Sequence, residues 1–296
     1  MNRLATWQLF ALCVLVWGTT WYAITWQIAE LAPEFGVALR FALAGATILA
    51  FAAWRGERLR FGAREHARFA LQGAFMYGVS YVCVYHAEQH VVSGLVAVGY
   101  SASPLIVSLG ARAAFGSPLS ARFLAGGLIG LLGVTLIFWP EIARAPAGGG
   151  TALGALFTIG AVLLSAVGSL SASRNRHHGL PFWPALGLCM LWGALASTLL
   201  ALALGRAFVL PGNAAWWLSL LYLALAGSVL TFACYLTLQD RLGPGPAGTI
   251  GVMTPLLALV VSLLFEGYRP EPLTFAGAAL ALAGNVAMLR PAKPAA

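Results

Sequence analysis

Charge is what this sequence has least of. Asp, Glu, Lys and Arg together make up 9% of 296 residues, against roughly a quarter in a soluble domain. A globule in water must cover its core with polar groups, and these are too few to cover one large domain. A soluble fold is therefore excluded, and lipid is the expected solvent. Cysteine is scarce too. Cys13, Cys83, Cys189 and Cys234 fall inside apolar runs with no CxxC spacing and no nearby His, so metal or redox chemistry is not expected. They pack as small apolar groups. No GxGxxG follows a strand pattern, and there is no GK[ST] loop or GxSxG elbow. ATP-driven work by this chain and nucleophile-elbow hydrolysis are thereby disfavoured, and no cofactor is expected. The apolar stretches do not alternate with polar residues, which argues against a membrane barrel.

What the chain does have is apolar length: 60% of it is hydrophobic and its mean hydropathy is +0.84. A hydrocarbon core about 30 Å thick takes roughly 20 apolar residues per helix, and a helix satisfies its own backbone there. Spans are expected at about residues 4–24, 34–54, 67–87, 91–113, 121–139, 151–171, 183–204, 214–237, 246–266 and 272–290. The first is read as a retained helix and not a cleaved signal, because Trp17, Trp21, Tyr22 and Trp26 stand where a cleavage site needs small residues. The fold class is an all-α integral membrane protein of ten transmembrane helices.

The net charge of +8 and pI near 9.8 would suit a nucleic-acid partner if the basic residues shared one solvated face. They are instead spread over short loops. One side holds Arg3, Arg55, Arg58, Arg60, Arg64, Arg68, Arg112, Arg122, Arg174, Arg176, Arg241, Arg290 and Lys293. The other holds Arg144, Arg206 and Arg269, and Arg40 alone lies within a span. An excess of positive charge marks the cytoplasmic side, so both termini are expected in the cytoplasm, with a lipid bilayer and no nucleic acid as partner.

Shifting the sequence by 151 residues superposes Pro104 on Pro255, Gly116 on Gly267, Gly126 on Gly277, Gly133 on Gly284 and Pro140 on Pro291. Two five-helix repeats are expected, residues 1–144 and 145–296, joined near the Gly- and Pro-rich stretch from Ala145 to Gly150. Each repeat has an odd number of crossings, so the second enters the membrane inverted with respect to the first, around a central cavity. Pro104 and Pro255 occupy equivalent positions and are expected to form two symmetric kinks along the substrate path.

All nine carboxylates lie in loops or at span ends, with Glu88 and Glu266 nearest the bilayer. With no acid near the midplane, facilitated transport without a buried proton-coupling carboxylate is expected. Arg40 either snorkels to the headgroups or pairs with Glu88, a helix end or a substrate carboxylate. His86, Glu88 and His90 have a spacing compatible with metal, but without further ligands they read as a wet extracellular loop. Trp26, Trp54, Trp139, Trp183, Trp216 and Trp217 suit interfacial belts, whereas Trp17, Tyr77, Tyr81, Tyr100, Trp192 and Tyr235 fall deeper. With Ser80, Ser101, Ser103, Ser165 and Ser169 they give an uncharged lining, part apolar and part hydrogen-bonding, suited to a neutral or zwitterionic solute.

With the WGTTW run at Trp17 to Trp21, Arg40 early in the second span, and SASPL at Ser101 to Leu105 answered by MTPLL at Met253 to Leu257, the chain resembles the drug/metabolite transporter superfamily, EamA-type branch. The stretch from Tyr85 to Leu105 looks most like the YddG-type exporters of aromatic and other neutral amino acids. The resemblance implies a bacterial inner-membrane carrier, a monomer or weak dimer, exporting amino acids or related metabolites by alternating access. It places Trp17, Tyr77, Tyr81, Tyr100, Ser165, Tyr235 and Met253 around the cavity. The small four-helix relatives carry a glutamate in the first span, and here there is none. Export of drugs or organic cations is the alternative, and an intramembrane enzyme would need a polar catalytic cluster that the sequence does not offer.

Overall fold

The computed structural model describes residues 4–144, 150–242 and 250–289, and within them the chain is helical, with no strand. The elements are α1 Thr6–Ile28, α2 Pro33–Trp54, α3 Ala63–Gly73, a π-helical segment Ala74–Val79, α4 Ser80–Glu88, α5 Ser93–Tyr100, α6 Ser103–Phe115 and α7 Ala121–Arg144. They continue as α8 Gly150–His177, α9 Phe182–Ala203, α10 Ala214–Leu221, a second π-helical segment Tyr222–Leu230, α11 Thr231–Leu242, α12 Ile250–Phe265 and α13 Pro272–Leu289. End to end these form ten helical stretches, residues 6–28, 33–54, 63–88, 93–115, 121–144, 150–177, 182–203, 214–242, 250–265 and 272–289. Seven stretches are long and apolar enough to cross a membrane, and Met253–Phe265 and Pro272–Met288 are shorter apolar helices. The 63–88 stretch falls outside that set. Its uncharged run, residues 69–87, is diluted by Gln72, Tyr77, Ser80, Tyr81, Tyr85 and His86. The expected joint at 145–149, Pro291, and the start of the ninth span at 246–249 lie outside the described residues.

The exterior explains the solvent. Trp54 is 83% exposed, Leu264 70% and Leu128 62%, a surface that water would not tolerate over this extent but hydrocarbon does. Inside, Val37, Phe41, Ile48, Tyr77, Tyr85, Met190 and Leu223 form the main core. Because lipid is as apolar as leucine, helices associate here through close packing of small residues more than through removal of apolar area from water.

Glycines carry that packing between the fifth and tenth stretches and between the second and seventh. Gly126 and Gly133 of α7 face Gly284 and Gly277 of α13. A Cβ on Gly126 would stand 2.8 Å from the Gly284 carbonyl oxygen, and one on Gly133 2.5 Å from that of Gly277. Gly45 and Gly187 meet likewise, a Cβ on Gly45 falling 2.8 Å from the Gly187 carbonyl. Several other contacts come in matched pairs. The third stretch packs on the sixth and the first on the eighth; the fourth packs on the sixth and the first on the ninth; the fourth and ninth pack on each other.

Two details bear on the path through the bundle. The fourth stretch is broken at Ser101–Ala102, and Pro104 sits in the first turn of α6, where its missing N–H has no intrahelical acceptor to lose. Pro255 lies inside the continuous helix α12. The expectation of two symmetric kinks is thus corrected: one proline follows a break and the other rides in an unbroken helix. The π-helical segments, by contrast, fall in the third and eighth stretches. At the end of the second of them the hydroxyl of Thr231 donates to the carbonyls of Ala226 and Gly227 at 3.1 and 2.7 Å, and Ser228 to Leu223 at 3.0 Å, so hydroxyls add to the backbone bonding of the widened turn.

Candidate functional site

The first, second, third, fourth, eighth and ninth stretches enclose a central cavity of about 280 Å³. From α1 come Trp17, Thr20, Trp21 and Ile24, successive residues of one helical face. Arg40 enters from α2, Tyr81 and Val84 from α4, Ala97 and Tyr100 from α5, and Ser103 and Pro104 from the start of α6. Phe232 of α11 and Gly251, Thr254 and Pro255 of α12 complete the lining. A second cavity of about 270 Å³ lies toward the arginine-bearing ends of the third and sixth stretches, lined by Gln72, Met76, Tyr77, Ser169, Asn175, Arg176 and Tyr235 among others. Phe232 lines both, and its ring lies 5.6 Å from Trp17 and 6.4 Å from Tyr77.

The sequence-derived residues divide between these spaces. Trp17, Tyr81, Tyr100, Pro104, Pro255 and Arg40 line the central cavity, and Tyr77 and Tyr235 line the second. Tyr77 and Tyr81 both rest on Phe41, at 5.3 and 4.8 Å between centroids, so they do share a face, yet serve different cavities. Ser165 lines neither, but it stands beside the Tyr100 hydroxyl. Met253 is 42% exposed and absent from both linings. Its neighbours Gly251, Thr254 and Pro255 face inward instead, a rotation of one or two residues on the same helix.

Several expectations about polar residues are corrected. Arg40 does not snorkel: it is 2% exposed, with its guanidinium carbon 4.9 Å from the Tyr81 ring centre and 5.2 Å from that of Phe41. Its Nε and Nη1 have no hydrogen-bond partner. Nor is the His86–His90 region a wet loop. His86 Nε2 stands 2.9 Å from Glu34 Oε1, Glu34 is fully buried, and Arg206 Nε approaches the same oxygen at 3.7 Å. His86 and His90 both stack on Phe157. The carboxylates sit at helix ends as expected, but Glu88 is only 7% exposed, with neither oxygen hydrogen-bonded. The absence of a buried carboxylate, which supported uncoupled transport, therefore does not hold. Trp216 is not interfacial either: it is fully buried, its indole donating to the Gln27 carbonyl at 3.0 Å.

Trp17 owes its inward position to a specific bond. Its indole N–H donates to the Gly227 carbonyl at 3.0 Å, in the π-helical segment where that oxygen is displaced from regular helix bonding. Its ring then packs on Phe232 and, at 5.4 Å, on Tyr235. Tyr100 lies against Trp21 at 5.3 Å. On the far side of the cavity, Glu266 ties the fourth stretch to the ninth. Its carboxylate accepts from the Ser93 N–H at 3.2 Å, from the Ser93 hydroxyl at 2.8 Å and from Ser262, while Ser262 also accepts from the Gly94 N–H at 2.8 Å. Ser103, read in sequence as a lining hydroxyl, does line the cavity, whereas Thr20, Trp21, Ile24, Phe232 and Thr254 went unnoticed as lining residues. Thr20, Trp21 and Ile24 follow Trp17 at three, four and seven residues, which is the helical signal that could have found them.

A lipid-facing helical bundle that encloses a cavity of aromatic rings, hydroxyls and one buried guanidinium has the build of a membrane transporter. The comparisons agree. The model of the EamA-like transporter family matches residues 5–139 and again residues 152–290, and the chain belongs to that family, within the drug/metabolite transporter superfamily. It is 25% identical over 279 residues to protein PagO of Salmonella typhimurium, covering 90% of this chain and 87% of that one. It is 28% identical over 258 residues to the uncharacterized inner membrane transporter YedA of Escherichia coli, covering 86% and 80%. Protein PecM of Dickeya dadantii is 25% identical over 267 residues, covering 89% and 84%. A crystal structure at 22% identity shares the fold, with a TM-score of 0.66 over 95% of this chain and 94% of the other.

Proposed function

We propose that this protein carries amino acids, aromatic and other neutral ones, or closely related metabolites out of a bacterial cell across the inner membrane by alternating access. The observation that carries this reading is the central cavity. Its volume lies just below the range of ligand pockets, roughly 300–1,000 Å³, and its walls pair aromatic faces with hydroxyls. That suits a solute of amino-acid size with an apolar side chain. A carrier of bulky organic cations would want a larger space and an acid facing it, and among the described lining residues none is acidic.

In this reading the ten stretches are ten crossings, arranged as two inverted five-helix repeats, residues 1–144 and 145–296, with both termini cytoplasmic. Three observations support it. The family model fits twice, once on each proposed half. The matched pairs of packed stretches are those a two-fold axis in the membrane plane would generate, since exchanging the halves turns each pair into its counterpart. And Gly116 and Gly267, 151 residues apart, both end helices in left-handed backbone, with φ of 67° and 66°. The inner-membrane setting follows the name of YedA.

The test is uptake of labelled phenylalanine, tryptophan and leucine by proteoliposomes holding the purified chain, with and without an imposed pH difference. Uptake above that of protein-free vesicles for at least one of them is expected. Equal leakage for all three sinks the amino-acid reading.

A further inference from the structure

The lining of the central cavity carries charge of one sign. Arg40 is the charged residue among the described residues that line it, and it is 2% exposed with Nε and Nη1 unpartnered. Tyr85 stands within hydrogen-bonding reach of this guanidinium, but a buried cation whose other donors are unmet is costly unless an anion meets it. Two further polar atoms facing the same cavity also lack a hydrogen-bond partner, the Tyr100 hydroxyl and the Ser103 hydroxyl. Thr20 and Thr254 also line it, but their hydroxyls are bound to the carbonyls of Trp17 and Ile250 at 2.7 and 2.6 Å. The cavity therefore offers one fixed cation, the Ser103 hydroxyl and the Tyr100 hydroxyl with Ser165 beside it, set among Trp17, Trp21 and Tyr81.

The internal acids do not answer Arg40. Glu88 interacts with it electrostatically, yet neither Glu88 oxygen makes a hydrogen bond and Glu88 does not line the cavity. Glu266 is engaged by Ser93 and Ser262. Glu34 is taken up by His86 and Arg206. The stacking of the guanidinium on Tyr81 and Phe41 fixes its plane, and a planar fork held in place is suited to a carboxylate.

We propose that Arg40 is the anchor for a carboxylate on the transported solute, with the Tyr100 and Ser103 hydroxyls completing the site, so that the substrates are small monocarboxylates with an apolar or aromatic body. This rests on the carrier reading above and narrows it. The carboxylate is required and the amino group is not, and decarboxylated amines are rejected by the like charge.

Calorimetric titration of the purified full-length chain in detergent with phenylalanine, 3-phenylpropionate and 2-phenylethylamine separates the outcomes. Binding of the two carboxylates and not of the amine is expected. In Arg40→Gln both acids should bind about 10- to 100-fold more weakly, the size of a hydrogen bond to a charged group, with partial recovery in Arg40→Lys. Tyr100→Phe and Ser103→Ala remove only unpartnered hydroxyls and should each weaken the acids several-fold while the protein elutes as wild type. These two and the wild-type panel decide the matter if Arg40→Gln does not fold. Binding of 2-phenylethylamine as tight as that of phenylalanine overturns the anchor and leaves a carrier of other solutes standing. Binding of none of the three overturns the anchor together with the aromatic amino-acid reading.

Discussion

The paired fifth and tenth stretches and the stretches that line the cavity are built on opposite plans. The first have neither a break nor a π turn, although α7 carries Pro140 near its end, and their glycines bring backbone against backbone, Gly126 to Gly284 and Gly133 to Gly277. The second carry nearly every irregularity of the chain: the break at Ser101–Ala102, the two π-helical segments and the proline inside α12. Regular helices with small residues give a contact that tolerates no change of register, whereas widened or broken turns leave carbonyls free to bind side chains such as Trp17 and Thr231. The difference teaches where a carrier of this build keeps its fixed frame and where it keeps its adjustable parts.

The comparison makes a double separation that substitutions can break. Gly133→Val should do the most damage, because its side chain would meet the α13 backbone and not a yielding side chain. Overpacking of this kind costs about 1–3 kcal/mol or more. A lower melting temperature is expected with a dye that reacts with thiols as they are uncovered, since Cys13, Cys189 and Cys234 are fully buried, while transport per folded molecule stays near wild type. Tyr100→Ala should do the reverse: uptake by proteoliposomes falls about tenfold, equivalent to roughly 1.4 kcal/mol of lost contact, and melting changes little. Unchanged uptake in that variant would mean that the cavity is not the transport path.

Smaller effects sharpen the same contrast. Glu88→Gln keeps the shape of the side chain and removes its ability to take up and release a proton, so any acceleration of uptake by an imposed pH difference should vanish, with uptake at equal pH altered no more than a few-fold. A pH response that survives places coupling elsewhere than Glu88. Least of all should follow from Gly130→Ala. A Cβ there meets only the Ala281 carbonyl, at 3.9 Å, and stability should move by no more than about 0.5 kcal/mol. Were it as harmful as Gly133→Val, close backbone approach would not be what holds α7 to α13.

Much of the architecture was legible because lipid imposes length and composition on every crossing, so the ends of most helices lie within a few residues of the apolar runs. The glycines matched at 151 residues proved to be contact and capping residues. The inward faces were less legible. In an apolar helix no polar stripe marks which side faces a cavity, so nothing local corrects the resemblance that implies Met253 where Gly251 and Thr254 face inward. A π turn adds a residue without any sequence mark, and so Tyr77 and Tyr81 serve different cavities despite their helical spacing. For Arg40 the sequence leaves snorkelling and internal pairing both open, because reach alone does not decide between them. Its place between Tyr81 and Phe41 depends on how α2 and α4 pack, which no local pattern encodes.

The unequal fourth and ninth stretches carry a consequence for motion. If the halves trade conformations during a cycle, the interruption now at Ser101–Ala102 should heal and reappear 151 positions later, at Val252–Met253. Amide deuterium labelling under turnover would then show protection migrating from one site to the other, a seesaw whose pivot is the glycine-locked pair of α7 and α13.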